Sequence, residues 1–367
     1  MDFNNIIKNF NFEGNFITGY SYGSGHINQT FVLIFKKNEH CYRRYLSQRI
    51  NHNVFKDVPA LMANIEKVTE FQRNEIIEKG GNPNVEVLTL VRTKDNSPYY
   101  KDNYGNYFRS YYFINEGIGF DKTVKPEHFY ESGVAFGKFQ RLLSNFNADE
   151  LNETIPNFHN TKIRYQNLVT AINNNRSNRL HLVKNEVDFL LSRKEYSERI
   201  VNYLESSEMP YRVTHNDTKL NNVLINPVTD KAVCVIDLDT IMKGSIIYDF
   251  GDSIRFGANS SEEDEKDLSK VNFDISLFET YTKGFLKELK GSLTTLEVNN
   301  LAFGGILLTY ETALRFLTDF LEGDNYFRTK YSDHNLDRTR TQIKLVKDME
   351  KVLDKMESIV KNIYYQK

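Results

Sequence analysis

At 367 residues the chain can bury a large core and exceeds the usual size of one domain, so two lobes are expected. Lys and Arg number 47 against 49 Asp and Glu, a net charge of -2, which lacks the basic excess of a general nucleic-acid binder. The two cysteines, Cys41 and Cys234, lie in apolar strand-like runs, no apolar run approaches ~20 residues, and the start MDFNNIIKNFNF has no basic-then-apolar leader; these features predict a reduced, cytoplasmic protein without a membrane partner.

In chain order, Phe31–Phe35 is a short apolar run, Lys36 to His40 a polar turn, and Tyr42 to Ile50 a second strand, which together predict a hairpin. Leu61, Met62, Ile65, Val68 and Phe71 recur at helical spacing until Gly80 and Gly81 stop the helix. Val85 to Val91 and Tyr107 to Ile114 are read as two more strands around the turn-rich Asp102 to Asn106. With the strand that precedes the glycine-rich turn Gly19 to Asn28, this gives a five-stranded antiparallel lobe with one helix over residues 1–115. From 116 to 367 the pattern turns helical. Phe129, Val134, Phe136, Phe139, Leu142 and Leu143 mark one helix, Val187 to Leu204 another, and Leu345, Met349, Val352, Met356, Ile359 and Ile363 a terminal packing stripe. The acidic run Glu262 to Glu265 reads as a solvated loop.

The helical pattern is interrupted at Thr214-His215-Asn216-Asp217-Thr218-Lys219-Leu220-Asn221-Asn222, which precedes a predicted strand Val223–Asn226, a turn, and a strand Ala232–Asp237. Such a hairpin brings its outer ends together, so Asp217 and Asn222 should face Asp237 and Asp239. A carboxylate that orients an attacking hydroxyl, beside an amide oxygen and a second carboxylate that hold Mg²⁺ on nucleotide phosphates, is the equipment of phosphoryl transfer. The spacing His-x-Asp-x₄-Asn is that of a kinase catalytic loop.

This stretch resembles the aminoglycoside phosphotransferase and choline kinase family, a branch of the protein-kinase-like fold. The resemblance rests on His215-Asn216-Asp217, Asn222, Ile236-Asp237-Leu238 and Tyr248-Asp249-Phe250-Gly251-Asp252. It implies a bilobal α+β fold, ATP and Mg²⁺ as cofactors, Asp217 as the catalytic residue, Asn222 and Asp237 as metal ligands, and His215 and Asp249 as structural supports of the loop. In the small lobe, Gly23, Ser24 and Gly25 lie where the family covers the phosphates. Where family members carry a strand lysine paired with a helix glutamate, this chain offers Arg49, with Glu66 and Glu70 both open as its partner.

Gly23 to Asn28, Gln48 to Lys56, Asp237 to Gly244 and Arg315 to Tyr326 together look like the N-acetylhexosamine 1-kinases, over about residues 20 to 330. That likeness implies His26, Asp217, Arg315 and Tyr326 as sugar contacts, and phosphorylation of the anomeric (C1) hydroxyl of N-acetylglucosamine or N-acetylgalactosamine. Two other readings stay open. One is a kinase of another small-molecule hydroxyl (choline, homoserine, methylthioribose or an aminoglycoside). The other is a non-catalytic nucleotide- or sugar-binding module, which the intact Asp217, Asn222 and Asp237 oppose. A monomer is favoured.

Overall fold

The structure, a computed structural model, describes residues 3–23, 27–120 and 125–366. A short helix α1 (Asn4–Asn9) leads into strands β1 (Asn15–Ser21), β2 (Gln29–Asn38) and β3 (Cys41–Ile50), followed by helices α2 (Val58–Glu78) and α3 (Pro83–Glu86) and strands β4 (Tyr100–Lys101) and β5 (Tyr107–Tyr112). These strands form a five-stranded sheet of order β1-β2-β3-β5-β4, with every pair antiparallel. The β2–β3 hairpin forms in the register the apolar run implies, with Leu33 opposite Tyr45 and Val32 opposite Leu46. Alternation along β3 and β5 gives the sheet two faces. Tyr45 and Phe108 pack with Ile6, Phe10 and Phe35 on one side. Ile50 and Tyr111 pack on the other with α2 and with Val213, Leu238 and Ile241 from the second lobe.

α2 starts where Asp57 accepts a hydrogen bond from Ala60 N at 3.0 Å and ends before Gly80, whose φ of +73° suits glycine. The predicted strand Val85 to Val91 does not form as read. Asn82 caps α3, with Pro83 in its first turn, and this winds the first part of the segment. The remainder runs beside β5 through single contacts, Val91 N to Ser110 O at 2.8 Å and Tyr112 N to Thr89 O at 3.0 Å. The fifth strand is β4, so the turn at Asp102 to Asn106 does close a hairpin, with a different partner from the one expected.

The larger lobe contains α4 (Pro126–Leu142), α5 (Thr161–Asn174), α6 (Lys184–Leu191) and α7 (Lys194–Glu205), then strands β6 (Arg212–Thr214), β7 (Val223–Ile225), β8 (Ala232–Val235) and β9 (Met242–Gly244), and finally α8 (Ile246–Gly257), α9 (Ile275–Lys287), α10 (Thr295–Glu322), α11 (His334–Lys351) and α12 (Leu353–Tyr365). The single helix expected over Val187 to Leu204 is two. Arg193 turns back on α6, donating to the Phe189 carbonyl at 3.1 Å, and pairs with Glu350 of α11 at 2.6 Å and 2.9 Å, which breaks the run at Ser192 and Arg193. The terminal stripe likewise bends at Val352 into α11 and α12, while Leu345, Met349 and Met356 all reach the core.

The centre of this lobe is α10. Thr294 and Glu297 form a reciprocal cap at its start, and Gly323, at φ +101°, ends it. Helix α8 crosses it at Gly251, where a Cβ would lie 2.2 Å from the Gly304 carbonyl oxygen, so the two backbones touch. Among the described residues no helix is long and apolar enough to cross a membrane.

Candidate active site

The hairpin β7–β8 forms as predicted, with Val223 opposite Val235 and Leu224 opposite Cys234. Ile236 N donates to the Asn222 carbonyl at 2.9 Å, which brings the end of the second strand against the loop before the first. That loop, His215 to Asn222, is pinned through its backbone. Asp249, at the start of α8, accepts His215 N at 2.9 Å and Asn216 N at 2.8 Å, and Gln140 of α4 donates to it at 2.7 Å. Three residues later Asp252 accepts Thr218 N at 3.1 Å. The His215 ring donates from Nε2 to the Ile236 carbonyl at 2.9 Å, so Nδ1 is the nitrogen left to accept Asp217 N at 3.3 Å. His215 and Asp249 thus hold backbone, and both are fully buried.

Within this frame Asn216 and Asp237 take positive φ, +63° and +60°, a conformation that Asn and Asp tolerate better than most residues. The Asp217 side chain, 28% exposed, is fixed at both oxygens: Lys219 Nζ lies 3.0 Å from Oδ1, and Asn222 Nδ2 donates to Oδ2 at 3.0 Å. Asn222 Nδ2 also donates to the Asp217 carbonyl at 2.8 Å, which leaves Oδ1 as the amide atom free to meet a cation. Asp237 is exposed at the end of the hairpin. The protein around it, and then the neighbouring Asp239 and Asp217 carboxylates, push its carboxyl up to about 6. The charges of Arg109 and His215 oppose that rise without cancelling it. An amide oxygen plus one such carboxylate suits Mg²⁺, which keeps most of its shell as waters and phosphate oxygens. Among the described residues no cluster of three or more His, Cys, Asp or Glu forms a preformed metal cage.

Asp239 does not join that pair. It is buried and turned toward the small lobe, where Arg109 of β5 forms an ion pair with it and Asn28 Nδ2 donates to it at 2.6 Å. Asn28 also accepts Asn51 N at 2.9 Å, and Arg109 Nε donates to Gln48 at 2.9 Å. The cation that the small lobe directs at the site is therefore Arg109. Arg49 is one residue out of phase with Gln48, so strand alternation sends it to the opposite face, where it bonds Asn106 Oδ1. Neither Glu66 nor Glu70 is its partner; both pair with Arg92, the second at 2.7 Å. Gly23 has φ +79° with open space around it. Ser24, Gly25 and His26 lie outside the described residues.

Arg315, on α10, and Tyr326, just beyond it, line a cleft of about 160 Å³ with Arg164, Asn167 and Phe327. The Arg315 guanidinium is 5.8 Å, 5.9 Å and 5.4 Å from the ring centres of Phe158, Tyr326 and Phe327. Asp319, on the same helix, is occupied in shaping the turn: it accepts the backbone N–H of Asn325, Tyr326 and Phe327 at 2.8–2.9 Å. Charged neighbours connect this cleft to the loop. Glu311 accepts from His159 Nδ1 at 3.0 Å and is held below the usual carboxylate range by His159, Arg315 and Arg164 against the effect of its burial. Asp252 is likewise held low against burial, mainly by Arg255, with His159 and Lys219 in electrostatic reach.

Sequence reasoning missed Arg109, Lys219, Asp252 and the His159–Glu311 pair. A signal existed for three of them: a lone cation in the middle of the aromatic strand YFRSYY, a lysine two residues past Asp217, and an aspartate one residue short of a full turn after Asp249. The His159–Glu311 pair joins residues 152 apart and leaves no local trace.

Residues 102–278 match the phosphotransferase enzyme family (APH). The chain is similar in fold to a microcompartment-associated aminopropanol kinase, with a TM-score of 0.61 and 12% identity over 96% of this chain and 97% of that one. An aminoglycoside phosphotransferase from Alicyclobacillus acidocaldarius matches with a TM-score of 0.60 and 14% identity over 97% and 95%. An amicoumacin kinase solved with AMP-PNP and Ca²⁺ gives 0.56 and 12% over 92% and 90%. The match to the APH phosphotransferase enzyme family spans the pinned loop, the hairpin and α8, and the likeness in fold extends over both lobes.

Proposed function

We propose that the protein is an ATP- and Mg²⁺-dependent kinase that phosphorylates the anomeric C1 hydroxyl of N-acetylhexosamines. The observation that carries the choice of acceptor is the charge of the cleft at Arg315. A cationic amino alcohol or aminoglycoside is best met by a cleft of net negative charge. Here the guanidiniums of Arg164 and Arg315 offset the carboxylates of Asp319, which is occupied by backbone, and Glu322, so the lining carries no excess negative charge. A neutral polyol meets this mixture of donors and acceptors well, and the rings of Phe158, Tyr326 and Phe327 offer apolar walls to its C–H faces.

In this reading residues 1–115 are the nucleotide lobe and 116–367 the catalytic and sugar lobe. Asn222 and Asp237 would hold Mg²⁺, which would supply positive charge against the nucleotide phosphates. Asp217, fixed by Lys219 and Asn222, orients the anomeric hydroxyl and takes its proton late in the transfer. That hydroxyl is more acidic than an ordinary alcohol, so a carboxylate suffices as base. Lys219 sits where it can balance charge on the phosphoryl group as it moves. Arg315, Tyr326 and His26 position the sugar.

The test is a panel of N-acetylglucosamine, N-acetylgalactosamine, plain hexoses, choline, ethanolamine and an aminoglycoside with ATP and Mg²⁺, scored by ADP release and by ³¹P NMR of the product. Turnover confined to the amines, or phosphate on a position other than C1, refutes the reading.

A further inference from the structure

His159 sits just before Asn160, the residue that caps α5 by accepting Ile163 N at 3.2 Å, so the chain entering the helix fixes its position. Its ring lies against Phe158 and Tyr248, with ring centres 4.6 Å and 5.3 Å away. The side chain is 8% exposed, and its Nδ1 is 3.0 Å from Oε1 of Glu311, itself 1% exposed. A carboxylate at that distance accepts a hydrogen bond from Nδ1–H and thereby sets the orientation and tautomer of the ring. The other half of the pair is unsatisfied. His159 Nε2, Glu311 Oε2 and the nearby Arg164 Nε are all buried, and none has a hydrogen-bond partner within the protein. Arg164 is tied to the same spot by its own bond to the Phe158 carbonyl at 2.8 Å. Buried polar atoms without partners are costly, and three of them around one carboxylate mark a place built for polar atoms from outside the chain.

The place lies between the two ends of the proposed reaction site. Glu311 is one helical turn before Arg315 on α10, and His159 lines a neighbouring pocket with Phe158, Tyr248 and Asn216, the residue before Asp217. His159 is in electrostatic reach of Asp252, which holds the backbone beside Asp217. We propose that Glu311 and His159 form a hydroxyl-reading element of the acceptor site, in which His159 Nε2 hydrogen-bonds a hydroxyl of the acceptor other than the one that is phosphorylated. This rests on the reading of the protein as a kinase of a polyhydroxylated acceptor. A hydroxyl suits the site because it both donates and accepts: it can donate to a neutral Nε2, accept from a protonated one, and accept from Arg164 Nε. His159 is a specificity-determining residue, and Glu311 is a positioning residue that acts through it.

The experiment measures kcat and KM for the acceptor, with the KM for ATP, using monodeoxy analogues of whichever acceptor the wild-type enzyme phosphorylates. Wild type should lose ~10- to 100-fold in kcat/KM on one deoxy analogue, the range of a buried hydrogen bond left unmade. His159→Phe keeps the ring and removes both nitrogens. It should lower kcat/KM for the parent acceptor by a similar factor and erase discrimination at that one position, leaving the others and the ATP KM unchanged. Glu311→Ala should show the same pattern, and Glu311→Gln, whose amide oxygen still accepts from Nδ1, should largely restore it. A wild-type enzyme that treats every deoxy analogue like the parent overturns the proposal without any variant being made. So does a His159→Phe enzyme, with normal nucleotide affinity, that retains every discrimination or loses all of them equally; an ordered water bound to Nε2 would give the first of these results. If the acceptor proves not to be an N-acetylhexosamine, the function proposed above fails, and the test of His159 proceeds unchanged on the deoxy analogues of the true acceptor.

Discussion

Replacing Arg109 with Met should cost the fold far more than an ordinary strand substitution. The Arg109 and Asp239 side chains are 2% and 5% exposed, so each charge has exchanged water for the other. Removing the cation leaves Asp239 buried with Asn28 as its remaining side-chain donor, at 2.6 Å, and leaves Gln48 without the bond from Arg109 Nε. Breaking a buried pair on one side costs about 3–5 kcal/mol. Unfolding entropy of roughly 2.1 cal/mol/K per residue over 367 residues converts this to a fall in Tm of about 4–6 °C. The double variant Arg109→Met, Asp239→Leu removes both charges and should recover most of the loss, because an apolar pair of similar volume has no ion to desolvate. Urea titration and differential scanning calorimetry of wild type, both single variants and the double variant give the coupling directly. A single variant within about 1 kcal/mol of wild type, the size of an exposed pair, would refute the buried-latch reasoning.

Four further outcomes follow from the site. Asp237→Ala should abolish turnover at every Mg²⁺ concentration while keeping the wild-type circular dichroism; residual activity that rises with Mg²⁺ would place the metal elsewhere. Arg315→Ala should raise the acceptor KM by the equivalent of about 1.5–3 kcal/mol, the value of a charge-assisted hydrogen bond, and leave the ATP KM alone; steady-state kinetics in both substrates decides this. Asp217→Asn should lower kcat by about 10²–10⁴ with nucleotide affinity unchanged, the range for a lost positioned base, and a near-normal kcat would remove Asp217 from the chemistry. Arg49→Ala should leave the ATP KM unchanged, because Arg49 faces away from the cleft; a large rise would mean that the small lobe uses it on nucleotide after all.

What the sequence discloses is what short-range physics decides. The β2–β3 hairpin and the β7–β8 hairpin each join strands separated by a few turn residues, and apolar periodicity was enough to place them and the loop between Asp217 and Asn222. Local competition explains the missed elements. An Asn cap followed by proline wound Val85 into a helical turn, and the Arg193 side chain, by capping α6 and reaching Glu350, divided a helix that periodicity alone would continue. Arg49 shows a subtler failure. The right kind of residue on the right strand lies on the wrong face, a one-residue phase difference that alternation with Gln48 already contained. The pairs Arg109–Asp239 and His159–Glu311 join residues 130 and 152 apart, so only the assembled fold brings them together.

The way the site is anchored divides its control between the lobes. Asp249 and Asp252, less than one turn apart on α8, hold three backbone N–H groups of the loop that carries Asp217. Helix α8 touches α10 backbone to backbone at Gly251 and Gly304, and α10 in turn carries Glu311 and Arg315. Two helices in direct contact therefore set the spacing between Asp217 and the proposed acceptor cleft. The nucleotide side has a different anchor. Asp237 lies two residues from Asp239, and Asp239 is held by Arg109 and Asn28 of the small lobe, with Asn28 adjoining the glycine-rich turn. The small lobe thus meets the residue two places from the proposed metal ligand through a buried ion pair and the Asn28 hydrogen bond. In the proposed reading the helical lobe thus supplies Arg315 and Tyr326 to the acceptor and the small lobe adds His26, whereas the proposed metal geometry depends on how the two lobes meet.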